Sequence, residues 1–347
     1  MTVWVQGDVP QEAGTALRRW LEECGDRPGA LPAGVTRVQA RLIRAVGRGE
    51  LPGIGWAFVK VMGFPRAKDR LRYVHRALPG RHEARVLEAV ATRAPGLPVP
   101  EVLAWSGSRF AGILPRMSAL VTKGLDVDPS APAPSLVERI GAARQLCEAG
   151  VEHRDLHPDN FVRLGDGRTA ALDLQSAHIH AGPLGVRARL RGAAKLIESE
   201  GTDALEAVVA GGLLGAGERD ALRRHAALLR VQTIDRRVRR CLQESTEFAR
   251  SMGVAAVRHV RRGAPADAAL VRLPARDALP LWIGDRVREV LDGDVPLLAG
   301  IVRPLVPHCG VRPALLLASG HAAARVEEAR PALLAAFDRY RSLARSG

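Results

Sequence analysis

Asp155, Asn160 and Asp173 are three oxygen-bearing side chains whose order and spacing suit phosphoryl transfer. They lie in His153-Arg154-Asp155-Leu156-His157-Pro158-Asp159-Asn160 and in Leu172-Asp173-Leu174-Gln175. Moving a phosphoryl group from ATP to a hydroxyl needs a carboxylate that orients or deprotonates the attacking oxygen. It also needs oxygen donors that hold magnesium on the phosphates. Asp155 suits the first task, and Asn160 with Asp173 suits the second. Asp155 and Asn160 are five residues apart, on what reads as one tight loop. Asp173 follows a Gly165-Asp166-Gly167 turn and a short apolar strand from Thr169 to Leu172. The competing reading is a chance loop rich in turn formers.

A cation for the nucleotide phosphates is conspicuous because lysine is scarce. Only four of the 51 basic side chains are lysines: Lys60, Lys68, Lys123 and Lys195. Lys60 sits in Trp56-Ala57-Phe58-Val59-Lys60-Val61-Met62, whose aromatic and β-branched residues read as a strand. The alternative for Lys60 is an edge-strand lysine facing solvent. Downstream, Arg81 to Val90 has helical spacing, with Val86, Leu87 and Val90 on one face. That helix offers Glu83 as a carboxylate partner for Lys60, with Glu88 a second candidate on a different face.

Together these segments resemble the protein-kinase-like superfamily. His153 to Asn160 is similar to its catalytic loop, H-R-D-x-x-x-x-N, and Asp173 to the magnesium-binding Asp of D-F-G. Two positions depart from protein kinases. His157 stands where those enzymes carry Lys, and its His-Pro pair resembles the small-molecule kinases of the aminoglycoside-phosphotransferase and lipopolysaccharide core (Kdo/heptose) types. Asp173-Leu174-Gln175 lacks the Phe-Gly of D-F-G. The order of a Pro98-Val99-Pro100 turn and a Leu120-Val121-Thr122 strand also resembles the lipopolysaccharide core kinases, over residues 40–200.

The resemblance implies an α+β, two-lobed fold with a small β-rich N-lobe, a mainly helical C-lobe and an additional C-terminal region. It implies that Lys60 holds the α- and β-phosphates of ATP and that Glu83 orients Lys60. Asn160 and Asp173 would hold Mg2+, and Asp155 would act on the acceptor hydroxyl. His157 would face the γ-phosphate or acceptor, His153 would brace the loop, and Arg154 would pair internally. Residues 121–125, including Val121 and Lys123, would lie beside the adenine. A phosphate-covering turn is expected just before Lys60, at Gly47-Arg48-Gly49 or at Gly53-Ile54-Gly55.

Stepwise along the chain, residues 1–35 read as an N-terminal extension holding a helix from Gln11 to Cys24. Residues 36–125 read as the kinase-like N-lobe, and 126–244 as the C-lobe with the catalytic loop. Within the latter, Ser135 should cap a helix through Leu146, and another helix should run from Val186 to Ser199. Residues 245–347 are of uncertain fold: two strands at 254–262 and 268–273, apolar runs at 297–306 and 312–317, and a terminal helix at 322–343.

At 347 residues the chain has room for two cores. It contains no apolar run of the length that spans a bilayer. Met1 to Asp8 lacks the charged start and apolar stretch of a signal peptide. Cys24, Cys147, Cys241 and Cys309 are too far apart for a metal-ligand pattern, so they read as reduced thiols in a cytoplasmic protein. The formal charge of +14 concentrates in residues 219–262, around Arg236-Arg237-Val238-Arg239-Arg240. A solvated helix face explains that cluster, as does a dock for an anionic glycolipid, a phosphorylated sugar or the inner membrane surface, since guanidinium pairs bidentately with phosphate. Nucleic acid is not expected as a partner, because no aromatic platform or zinc motif interleaves with the arginines. The expected activity is ATP- and Mg2+-dependent phosphorylation of a sugar or glycolipid hydroxyl. The rivals are a nucleotide-binding pseudokinase scaffold and an aminoglycoside-type antibiotic phosphotransferase.

Overall fold

The computed structural model describes residues 1–226 apart from 28, 42, 66, 199 and 201–203, together with residue 229 and the strand residues 248–252, 256–261 and 271–274. They belong to two compact units, Met1–Gly217 and Glu218–Gly347.

The first unit is α+β. Its main element is a six-stranded antiparallel sheet in the order β1-β5-β6-β4-β3-β2. The strands are β1 (Thr2–Val5), β2 (Thr36–Arg41), β3 (Arg44–Leu51), β4 (Gly55–Gly63), β5 (Val102–Phe110) and β6 (Leu114–Lys123). Strand alternation sends one set of side chains into a core and the other to the opposite face. Ala57, Val59 and Val61 of β4 and Met117, Ala119 and Val121 of β6 point into a core closed by Leu17, Trp20 and Leu21 of α1 (Gln11–Asp26). Lys60 therefore lies on the face away from α1. Residues 1–35 are part of this sheet and core: β1 pairs along β5 from Thr2↔Gly107 to Val5↔Ala104, and α1 covers one face.

On the other side lies α3 (Pro79–Arg93), preceded by the short α2 (Ala67–Arg72). Its apolar stripe of Ala84, Val86, Leu87 and Val90 is buried, as is Glu83. Beyond β6, α4 (Leu136–Glu148) starts at the expected Ser135. The Ser135 hydroxyl accepts from the Glu138 N–H, and the Glu138 carboxylate accepts from the Ser135 N–H, which is a full capping box. Short pieces follow: β7 (Val151–Glu152), β8 (Phe161–Arg163), β9 (Thr169–Ala171) and β10 (His178–Ile179). β8 pairs with β9 and β10 with β7, all antiparallel. Two helices, α5 (Val186–Leu196) and α6 (Ala204–Ala210), complete the unit, and both pack on α4.

In the second unit, β11 (Phe248–Met252), β12 (Ala256–Arg261) and β13 (Val271–Pro274) form an antiparallel three-stranded sheet. β12 and β13 match the two strands anticipated at 254–262 and 268–273, and β11 is an additional one. The Arg236–Arg240 cluster, the apolar runs at 297–306 and 312–317 and the helix at 322–343 lie outside the described residues.

The seating of α3 on the sheet is tight at its first turn. Gly80 N–H donates to Ser118 Oγ at 2.8 Å, and a Cβ at position 80 would sit 2.4 Å from the carbonyl oxygen of Ala119. In an open helix Gly→Ala gains about 1 kcal/mol. Here the collision is with backbone of a central strand, so overpacking wins, and Gly80→Ala is expected to lose about 1–3 kcal/mol net. Urea unfolding of the two proteins measures this; a stabilised variant would mean that α3 is free to slide on β6.

Candidate active site

Three segments meet at one ammonium group, and a fourth reaches it through Asp173. Lys60 on β4 reaches Glu83 on α3, with Nζ 2.8 Å from Oε1 and 2.9 Å from Oε2. The same Nζ lies 2.8 Å from Asp173 Oδ1. Arg44, the first residue of β3, places Nη1 3.4 Å from the other oxygen, Asp173 Oδ2. Its Nη2 is 3.4 Å from Gln39 Oε1 on β2. Glu83 is nearly enclosed at 5% side-chain exposure, while Asp173 keeps 35%.

Burial by itself lowers the pKa of Lys60, but the Glu83 and Asp173 carboxylates outweigh it and the net displacement is upward. Burial pushes Glu83 up against the pull of Lys60. Asp173 is also pushed up by burial, but Lys60 and Arg44 overcome this and hold it below its ordinary value. The ammonium is thus firmly protonated and Asp173 firmly ionised.

Asp173 is aimed by its backbone. At φ 52° and ψ 52° it occupies the left-handed region, and Asp and Asn tolerate that region better than most side chains. The preceding peptide is held at both ends. Leu172 N–H donates to the Asn160 carbonyl at 2.8 Å, and the Leu172 carbonyl accepts from His153 Nε2 at 3.3 Å. His153 Nδ1 in turn accepts the Asp155 N–H at 3.1 Å. The two contacts define one tautomer, with the proton on Nε2. Asn160 Nδ2 donates to the Asp155 carbonyl at 2.7 Å, closing the loop on itself. His153, Asp155 and Asn160 therefore belong to one hydrogen-bonded loop, and its two contacts to Leu172 bring it to the residue before Asp173.

Other expected residues are placed differently. The ring of His157 is engaged locally: Nδ1 accepts the Asp159 N–H at 3.4 Å and lies 3.2 Å from Asp159 Oδ2, capping the 3-10 turn Pro158–Asn160. Val121 is fully buried in the core beneath α1 and sits mid-sheet between Val59 and Ala104, so neither its side chain nor its backbone faces a ligand. Lys123 is exposed, with its N–H given to the Glu101 carbonyl and its ammonium 3.8 Å from the Glu101 carboxylate. Arg154 is exposed; it makes no close ion pair with a described carboxylate, but its charge helps to hold the buried Glu152 below its ordinary value. The buried charge in that loop belongs to Glu152, which accepts from Arg191 at 2.8 Å and from His180 at 3.1 Å.

The two glycine pairs expected to form a turn before Lys60 are placed differently from each other. Gly47 and Gly49 lie inside β3, where a Cβ would strike Val35 and Leu31, or Trp20. Gly53 and Gly55 form the β3–β4 turn in left-handed conformations. Sequence reading missed Arg44, Gln39 and Glu152. The signal for Arg44 was its register, two residues from the Val46 that pairs with Lys60, but in an arginine-rich chain it does not stand out.

No family model matches the chain, and no curated protein matches it. Among solved structures it is similar to a Stt7 homologue from Micromonas algae, in crystals soaked with ATP, at 18% identity and a TM-score of 0.30. The overlap covers 43% of this chain and 52% of that one, about half its length. Such a likeness does not decide function; the side chains must.

His153 provides a direct check on the construction. Burial lowers its pKa below the ordinary value of 6.5. On acidification from about pH 6.5 the unfolded chain binds a proton that the folded one refuses. Stability from this group is therefore complete above that pH and is lost as pH falls, by up to about 1.4 kcal/mol per pH unit. His153→Asn should flatten the stability–pH slope between pH 6.5 and 5 relative to wild type, as read by urea unfolding; parallel slopes would mean that the native ring takes up the proton freely.

Proposed function

We propose that the protein is an ATP- and magnesium-dependent phosphotransferase of the kinase-like, two-lobed kind, acting on a hydroxyl of a sugar or glycolipid. The observation that carries this is the Glu83–Lys60–Asp173 triad, brought beside an Asp155–Asn160 loop that is tied to Leu172. A strand lysine braced by a helix carboxylate is how such enzymes present a cation to nucleotide phosphates.

The donor set suits magnesium. Asp173 offers a carboxylate and Asn160 an amide oxygen, both hard ligands, and Mg2+ commonly takes its other ligands from phosphates and water. When bound, the ion neutralises charge on the phosphates and fixes their geometry. Lys60 gives the phosphate oxygens a positive point charge, and Glu83 keeps that charge in place when Asp173 turns to the metal. Asp155 accepts the proton of the acceptor hydroxyl as its oxygen bonds to the γ-phosphorus. The bond from that phosphorus to the β–γ bridging oxygen breaks, and ADP leaves with the electron pair.

The acceptor class rests on two features. Residues 174–185 run from Asp173 to α5 through one 3-10 turn and the two-residue β10, leaving no long segment on which a polypeptide substrate would lie. Arg154 is exposed next to Asp155, which favours a neutral or anionic sugar over a cationic drug.

Thermal shift with ATP plus Mg2+ tests the nucleotide site, because a ligand that binds only the folded state raises the melting temperature. Wild type should shift and Asp173→Ala should not; no shift in either would leave a scaffold rather than an enzyme. With a working acceptor, Asp155→Asn should lower kcat by about 100-fold or more while the ATP shift persists. Undiminished turnover in that variant would remove Asp155 from the chemistry.

A further inference from the structure

We infer that Arg44 is a phosphate ligand that takes the place of a glycine-rich loop, gripping the β- and γ-phosphates of a nucleoside triphosphate beside Lys60. This rests on the nucleotide reading above and adds to it a residue that no kinase motif in the sequence marks.

The sequence puts no glycine between β2 and β3 beside Arg44, and the Gly53–Gly55 turn lies at the other end of β3. β2 ends at Arg41 and β3 begins at Arg44, so only residues 42 and 43 join them, Leu and Ile. The glycines inside β3 have a different cause. At Gly47 a Cβ would meet Val35 Cγ1 at 2.4 Å, and at Gly49 the Trp20 ring at 2.7 Å. Both face the core under α1, where close packing excludes a side chain. They cannot also lie on the opposite face, with Lys60.

Alternation then identifies what shares the face of Lys60. Ala45, Gly47, Gly49 and Leu51 are buried, so Arg44, Val46, Arg48 and Glu50 point the other way. The register pairs Val46 with Lys60 and Arg44 with Met62, which puts Arg44 on the face of Lys60 and one pair further along. Arg48 is committed elsewhere, its guanidinium 4.2 Å from the centroid of the Trp56 ring. Arg44 is the cation left on that part of the strand, and its Nη1 already shares the Asp173 carboxylate with Lys60.

Its present contacts are replaceable. Both measure 3.4 Å, long for charge-assisted hydrogen bonds, whereas the Lys60 contacts are 2.8–2.9 Å. A divalent cation on Asp173 needs the oxygens these two side chains now occupy. The Glu83 carboxylate retains Lys60 by direct hydrogen bonds, whereas among the described residues the remaining hydrogen bond of Arg44 is the long one to the Gln39 amide. Its planar fork then meets phosphate oxygens two at a time, with Gln39 steadying the guanidinium from β2.

The experiment is equilibrium binding of ATP, ADP and adenosine to the full chain, for wild type, Arg44→Gln and Arg44→Lys. Arg44→Gln should weaken ATP by about 10- to 100-fold, the usual range for a charged hydrogen bond. ADP should weaken less, adenosine should stay within about twofold, and Arg44→Lys should recover part of the ATP affinity. A merely structural ion pair would instead lower ATP and adenosine affinity together, and that result, or unchanged ATP affinity, overturns the assignment while leaving the nucleotide site standing. Wild type that binds none of the three overturns both.

Discussion

Everything at this site depends on one desolvated ammonium holding two carboxylates together. Lys60 is bonded to Glu83, 23 positions away on α3, and to Asp173, 113 positions away beyond β9. Enclosing charges removes their hydration, so such a cluster stands only if every charge keeps its partner. Deleting one member of a buried pair typically loses about 3–5 kcal/mol because the other is stranded. Glu83, the most enclosed of the three, is the one that Lys60 cannot release. Asp173 is more exposed and is held from its other side by Arg44, so it is the member free to change partners. The asymmetry in burial divides a permanent brace from an exchangeable ligand.

Secondary structure around the triad reads as a set of devices for bringing those groups together. Gly80 lets the first turn of α3 lie against β6, which lowers Glu83 onto the face of Lys60. His82 Nε2 contacts the Ala177 carbonyl at 2.8 Å, tying the same helix turn to the segment just after Asp173. On the far side, His153 and Asn160 clamp the Leu172 peptide, and this forces the next residue into a left-handed conformation. That conformation disfavours most side chains by about 1–2 kcal/mol. The ion pairs to Lys60 and Arg44 act against that strain, so the position requires a short acid and not the glycine that backbone alone would prefer.

Local chemistry was legible where it stood out from its background. Lys60 was visible because lysine is rare and its neighbours are aromatic or β-branched. Glu83 followed from helical spacing, and Ser135 from a cap that needs only residues three apart. The loop from His153 to Asn160 was legible because Asp155 to Asn160 closes on itself, within reach of local backbone contacts. What failed was whatever depends on sheet order or on face. Val121 sits in an apolar run that gives no sign of which way it points; only the register with Val59 and Ala104 buries it under α1. Thr2–Val5 became an edge strand through pairing with residues a hundred positions away, which no local pattern encodes. Gly47 and Gly49 looked like a loop because glycine spacing cannot distinguish a flexible turn from a strand crowded by Trp20.

The rarity of lysine carries a physical meaning beyond composition. In a chain that uses arginine almost everywhere else, a lysine at position 60 has to be explained by shape. An ammonium has three donors on one atom, and here all three have acceptors: Glu83 Oε1, Glu83 Oε2 and Asp173 Oδ1, at 2.8, 2.9 and 2.8 Å. A guanidinium spreads five donors over a plane, so in the same enclosed space some would stay unsatisfied, at a cost of about 1–3 kcal/mol each. Arg44, further along the face and bound by longer contacts, suffers no such limit, and there the wide fork is an advantage. The two cations of this face thus follow a geometric rule: the point charge sits where carboxylates surround it, and the fork sits where its contacts are longer and two oxygens can be met at once.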